Sequence, residues 1–132
     1  MHSIRLRGPW ECFLPGEAEP RRIEMPATGQ RLADLIPAGT PLPCPVRLLR
    51  HFGLPTGIEP SDRLEIVVES AGVPLDVTLN GQPLGQLSPT NQPSRLDVTS
   101  QLSLRNELSL AFPLSPSTPL PIGEVRLEIT ND

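Results

Sequence analysis

The sequence predicts an all-β sandwich of about eight or nine mostly antiparallel strands. Three observations predict it. Apolar residues recur at every second position through most of the chain, prolines are spread too evenly for long helices, and Gly/Pro/Asn turns punctuate the apolar runs at sandwich spacing. Eighteen prolines among 132 residues would suit a disordered chain, but a hydrophobic content of 37% supports a packed core. A parallel sheet would need crossover helices that such a chain does not supply. The length fits one β-sandwich domain over residues 1–132, able to bury a core without disulfides or metals.

The first element lies in IRLRGPWECFL. Ile4, Leu6, Trp10, Cys12 and Leu14 share one parity, Arg5, Arg7 and Glu11 take the other, and Gly8-Pro9 breaks the ladder. Trp10 is therefore assigned to the core, and Phe13, of opposite parity, is the one aromatic with a claim to exposure. RRIEM, residues 21–25, makes a short second strand. The long Pro-rich connection after it has room for one helical turn at RLADLI. A strand over 46–54 ends at Gly53 and Pro55. The cleanest strand follows at 62–70, with Leu64, Ile66 and Val68 on one face and Glu65, Val67 and Glu69 on the other. DVTLNGQPLGQL, residues 76–87, is a hairpin whose Asn80-Gly81 pair suits a type I′ turn. SRLDV is a short strand, Leu108, Leu110 and Phe112 mark the next, and Val125, Leu127 and Ile129 the last. Residues 113–123, PLSPSTPLPIG, form a rigid connection long enough to cross from one sheet to the other.

Most chemistries lack their residues. The net charge is −4 and all 11 basic residues are Arg, so neither nucleic acid nor an anionic membrane is an expected partner. His2 stands at a terminus expected to be loosely ordered, which leaves a catalytic triad to rest on His51, read instead as a surface or half-buried strand histidine. Two Cys and two His without close spacing make no zinc site. No cofactor is expected, although separated sandwich loops can assemble a calcium site. Glu65 and Glu69 stand about 13 Å apart along a strand, too far for a hydrolytic carboxylate pair, and are read as carboxylates facing Arg on a neighbouring strand. Gly81 and Gly85 lack the helix and Lys of a phosphate loop. Cys12 and Cys44 are expected to be free and buried, in keeping with a cytoplasmic chain that shows no leader-like or membrane-spanning run.

The order of segments is more specific than any single residue. Leu6, Gly8 and Trp10 open the pattern; Arg50, Phe52, Leu54 and Pro55 follow on a strand. An apolar strand then leads to Asn80, Gly81, Leu84 and Gly85, and the series closes on Asp97, Val98, Thr99, Leu102, Asn106 and Leu108. In this order the chain resembles the N-terminal sugar-binding domain of the β-galactosidase and β-glucuronidase group of glycoside hydrolases. That resemblance implies a jelly-roll sandwich of the galactose-binding domain-like fold. It also implies no catalysis here, because the catalytic carboxylates of such enzymes sit in a separate barrel domain. The chain departs from the pattern at Leu104, where a Gly is usual, and at QLSPTNQPS, which replaces a His-Gly-rich stretch bordering the substrate cleft.

The reading is a stand-alone, non-catalytic binding module. A carbohydrate would be held by the loop QLSPTNQ through Gln86, Asn91 and Gln92. The alternative is a protein interaction or assembly module without a small ligand, docking on another protein or on a second copy as a homodimer, by a sheet edge or an apolar patch. Asp97, Thr99 and Asn106 are expected to fasten turns through local backbone hydrogen bonds.

Overall fold

A computed structural model describes residues 2–131 as two antiparallel sheets packed face to face. The strands are β1 (His2–Arg5), β2 (Trp10–Phe13), β3 (Arg21–Ile23), β4 (Cys44–Gly53), β5 (Arg63–Val68), β6 (Leu75–Leu79), β7 (Gln82–Leu87), β8 (Ser94–Asp97), β9 (Arg105–Leu114) and β10 (Val125–Thr130), with one short helix, α1 (Gly29–Ala33). One sheet has the order β1-β10-β5-β8 and the other β3-β2-β4-β9-β6-β7. The core between them is built from the inward residues of both, including Trp10, Leu48, Ile66, Leu108, Leu110 and Leu127. The 113–123 segment carries the chain from β9 in the larger sheet to β10 in the smaller, as its length predicts.

Ten strands form where about eight or nine are expected, because the first predicted strand divides at Gly8-Pro9 into β1 and β2, which belong to different sheets. Pro9 has no N–H to extend the ladder, so the chain turns the corner there. Across that corner the Trp10 indole N–H donates to the Leu6 carbonyl at 2.8 Å, and Trp10 is fully buried. The terminus expected to be loose is held as well: His2 pairs with Ile129 at the start of β1.

The helical turn forms two residues earlier than RLADLI. The Thr28 hydroxyl caps it by accepting the Arg31 N–H at 3.1 Å. Gly29 sits against the 113–123 connection, where its N–H donates to the Pro119 carbonyl at 3.0 Å; a Cβ would lie 2.1 Å from the Thr118 carbonyl oxygen. Only glycine allows so close a backbone approach.

Val67, read as outward-facing on β5, is nonetheless buried. It stands in register between Arg95 on β8 and Arg126 on β10. The two arginine stems cover it while their heads reach carboxylates. Arg95 meets Glu128 at 2.6 Å and Glu65 at 3.5 Å, and Arg126 meets Glu128 at 2.7 Å and also bonds Glu69. The expected pairing of Glu65 and Glu69 with strand arginines is thus observed, centred on a Glu128 that is itself buried. Its carboxyl is held below the usual glutamate range by the hydrogen bonds from Arg95 and then Arg126.

Candidate sugar-binding face

The outer face of the six-stranded sheet differs in kind. Alternation sends Cys44, Val46 and Leu48 of β4 inward and Pro45, Arg47, Leu49 and His51 outward; in β9, Leu108, Leu110 and Phe112 go inward while Glu107, Ser109 and Ala111 go outward. Register then aligns one residue from each of five strands in a single row: Phe13 opposite Arg47, Arg47 opposite Ala111, Ala111 opposite Asp76, and Asp76 opposite Gln86. The row floors an open cleft of about 610 Å³, with Pro45, Pro74 and Pro113 at its rim. Phe13 is half-buried, and the Arg47 guanidinium lies 4.3 Å from the centre of its ring, so the expected exposed aromatic serves to hold a cation in place. Ala111 leaves the middle of the row low. Neither Arg47 nor Asp76 forms an ion pair among the described residues.

A second cleft, about 760 Å³, opens at the far end of the same strands. His51 and Glu107 pair in register there, with His51 Nε2 3.7 Å from the carboxylate, beside Arg105 and the turn between β6 and β7. In that turn Asn80 and Gly81 take φ of 52° and 80°, the left-handed pair a type I′ hairpin needs. The Asn80 side chain also ties the turn to β9: its Oδ1 accepts the Glu107 N–H at 2.8 Å and its Nδ2 donates to Asn106 Oδ1 at 3.0 Å. Asn106 and Asp97 fasten turns as expected, while Thr99 Oγ1 accepts the distant Leu64 N–H at 3.0 Å and ties its turn to β5; Asp97 accepts both the N–H and the hydroxyl of Thr99. Those two bonds hold the Asp97 carboxyl below its ordinary range. His51 is exposed, and its cleft contains no Ser, Thr or Cys to activate.

Of the three loop residues singled out by sequence, only Gln86 lies on this face, where it ends the cross-strand row on β7. Asn91 borders a separate shallow cleft with Ser70, Ala71 and Leu120, beside the bridge between Ala71 and Thr90. Gln92 is exposed, its N–H donating to Thr90 Oγ1 at 3.1 Å. Arg47 reads from the sequence as a charge on a solvated sheet face, and Asp76 as one outward strand residue among many. Cys12 and Cys44 are both buried and free, and burial pushes the Cys12 thiol up to about 11. Among the described residues no three His, Cys, Asp or Glu side chains cluster as a metal site requires, and no helix is long and apolar enough to cross a membrane.

No protein-family model and no curated protein matches the sequence. Solved structures do match the fold. An FMN-binding β-glucuronidase from Facaelibacterium prausnitzii L2-6 superposes with a TM-score of 0.77 at 21% identity, over 98% of this chain and 22% of that chain. A β-D-mannosidase from Dictyoglomus thermophilum gives 0.81 at 14% identity, over 99% of this chain and 23% of that one. A Bifidobacterium dentium β-glucuronidase complexed with coumarin-3-O-glucuronide gives 0.75 at 19% identity, over 98% and 30%. The fold is that of a domain within glycosidases. These neighbours agree with the group that the ordered motifs resemble, and the chain spans less than a third of the length of each.

Proposed function

We propose that the chain is a non-catalytic carbohydrate-binding module and that it holds sugar on the outer face of the six-stranded sheet. The observation that carries this reading is the cross-strand row from Phe13 to Gln86. A sugar hydroxyl both donates and accepts. Arg47 supplies only donors, Asp76 only acceptors and Gln86 both, around an alanine-floored cleft wide enough for a ring. The strands, not a loop, fix these side chains, so little ordering entropy opposes binding.

The edges of the six-stranded sheet support this reading over edge-to-edge docking of a protein there. The edge strand β7 contains Pro83 and a register shift opposite Val77 and Thr78, and β3 is only three residues long. The test is a glycan array followed by calorimetry. Arg47→Ala, Asp76→Ala and Gln86→Ala should each weaken binding of the best glycan by about tenfold or more, while Asn91→Ala leaves it unchanged. No glycan bound, together with a stable dimer in solution, would replace this reading with the assembly one.

A further inference from the structure

The two clefts lie on the same strands, and what separates them is as informative as what lines them. Between the row of Arg47, Ala111 and Asp76 and the pair of His51 and Glu107 there is one intervening outward row: Leu49, Ser109 and Thr78. Leu49 is buried, and Ser109 and Thr78 are small and half-buried, so no bulky exposed side chain on these three strands divides the face. Both ends also have the same charge character. Arg47 and Asp76 flank Ala111 at one end; Arg105 and Glu107 lie together at the other, with His51 across from Glu107.

We infer that the two clefts are the ends of one groove along β9 that takes an unbranched, neutral oligosaccharide, entered by internal stretches of the chain as well as by its ends. This rests on the sugar-binding reading above and adds the length and charge of the ligand. Arg47 and His51 are four positions apart on β4, about 13 Å at the usual rise, which is roughly the span of two to three linked pyranose rings. Charges of both signs at each end complement hydroxyls, which donate to Asp76 or Glu107 and accept from Arg47 or Arg105; a ligand with charge of one sign would lose at one residue of each end what it gains at the other, whereas neutral hydroxyls use both. Ser109 and Thr78, between the ends, add hydroxyls that suit the middle of such a chain. The openness of the face at both ends fits a linear polymer passing through.

The experiment is calorimetry with neutral β-1,4-linked gluco-, galacto-, xylo- and manno-oligosaccharides of increasing length. For the sugar type that binds, Kd should fall at least about tenfold between two rings and four and then level off. Arg105→Ala and His51→Ala should bring the four-ring Kd close to the two-ring value, and Arg47→Ala should weaken four-ring binding as well. Affinity should hold steady from about 50 mM to 500 mM salt. A Kd that does not vary with length, or four-ring binding indifferent to Arg105→Ala and His51→Ala, overturns the groove while leaving a sugar site at Arg47. Steep loss of affinity with salt overturns the neutral ligand. No binding by any of the series overturns the neutral linear ligand, while the glycan array decides separately whether the sugar-binding reading stands; circular dichroism of each variant separates lost contacts from lost fold.

Discussion

Asn106→Ala should destabilise the domain by about 3 kcal/mol, because one buried amide joins three segments of the larger sheet. Its Oδ1 accepts the Ser103 N–H at 2.8 Å and the Asn80 Nδ2–H at 3.0 Å; its Nδ2 donates to the Ser103 carbonyl at 2.9 Å and, at the limit of bonding, to the Phe52 carbonyl at 3.4 Å. The residue is 3% exposed, so water has little access to repair the loss. Three well-formed bonds at about 1 kcal/mol each give the total, and the fourth adds little at its length. In a chain of 132 residues that corresponds to a fall in Tm of about 10 °C. Urea unfolding followed by the fluorescence of Trp10, the sole and fully buried tryptophan, measures it. The midpoint should drop at constant slope. A loss below about 1 kcal/mol would mean that the turn before β9 and the Asn80 hairpin do not depend on their shared amide, and the fastening role would be abandoned.

Two further outcomes follow from the charged lattice and the buried thiols. Because Arg95 and Arg126 depress the Glu128 pKa below its ordinary 4.5, its contribution to stability is present above that value and is lost as pH falls through the lower folded value. Glu128→Gln should therefore cost about 2 kcal/mol at neutral pH and progressively less in acid, read by denaturant titration at each pH; an equal cost at all pH values would contradict the pairing. Burial raises both thiols, Cys12 to about 11, so neither should react with Ellman's reagent at pH 8 in the native protein, and both should react in denaturant. Rapid labelling of either native thiol would show that the region around β2 and β4 opens readily.

Parity was legible in the sequence, and partnership was not. Alternation alone places Trp10, Leu64, Ile66 and Val68 inside, since a strand with one covered face must repeat at period two. Ile4 and Trp10 share that parity and still fall on different sheets, because a proline corner preserves the inward face while changing the ladder. The Asn80-Gly81 turn is readable because left-handed backbone narrows the choice of residue. Its attachment to Asn106 is not, since it joins positions 26 apart in sequence. The cross-strand row is the extreme case: residues 13, 47, 76, 86 and 111 meet only once the strand order is known. Polar composition drew attention to the loop with Asn91 and Gln92, whereas the strand positions of Arg47 and Asp76 made them look like ordinary solvated charges.

The contrast between the two outer faces is what turns that row into a site. On the four-stranded sheet, Glu65, Glu69 and Glu128 each meet an arginine, and Arg95 and Arg126 each meet two carboxylates, so the charges answer one another and leave little for a ligand. On the six-stranded sheet, Arg47 and Asp76 stand two strands apart with Ala111 between them, roughly 10 Å by strand spacing, too far to pair directly. A longer residue in place of Ala111 would fill the gap, and an acidic one would pair with Arg47 as Glu128 pairs with Arg126. The face therefore keeps a donor and an acceptor apart across Ala111, held by strands on both sides, whereas the opposite face joins Glu65, Glu69 and Glu128 to Arg95 and Arg126. Ala111→Glu tests both halves of this argument: the new carboxylate should engage Arg47 at little cost to stability while closing the cleft to sugar, and a variant that still binds its glycan would place the ligand somewhere other than this row.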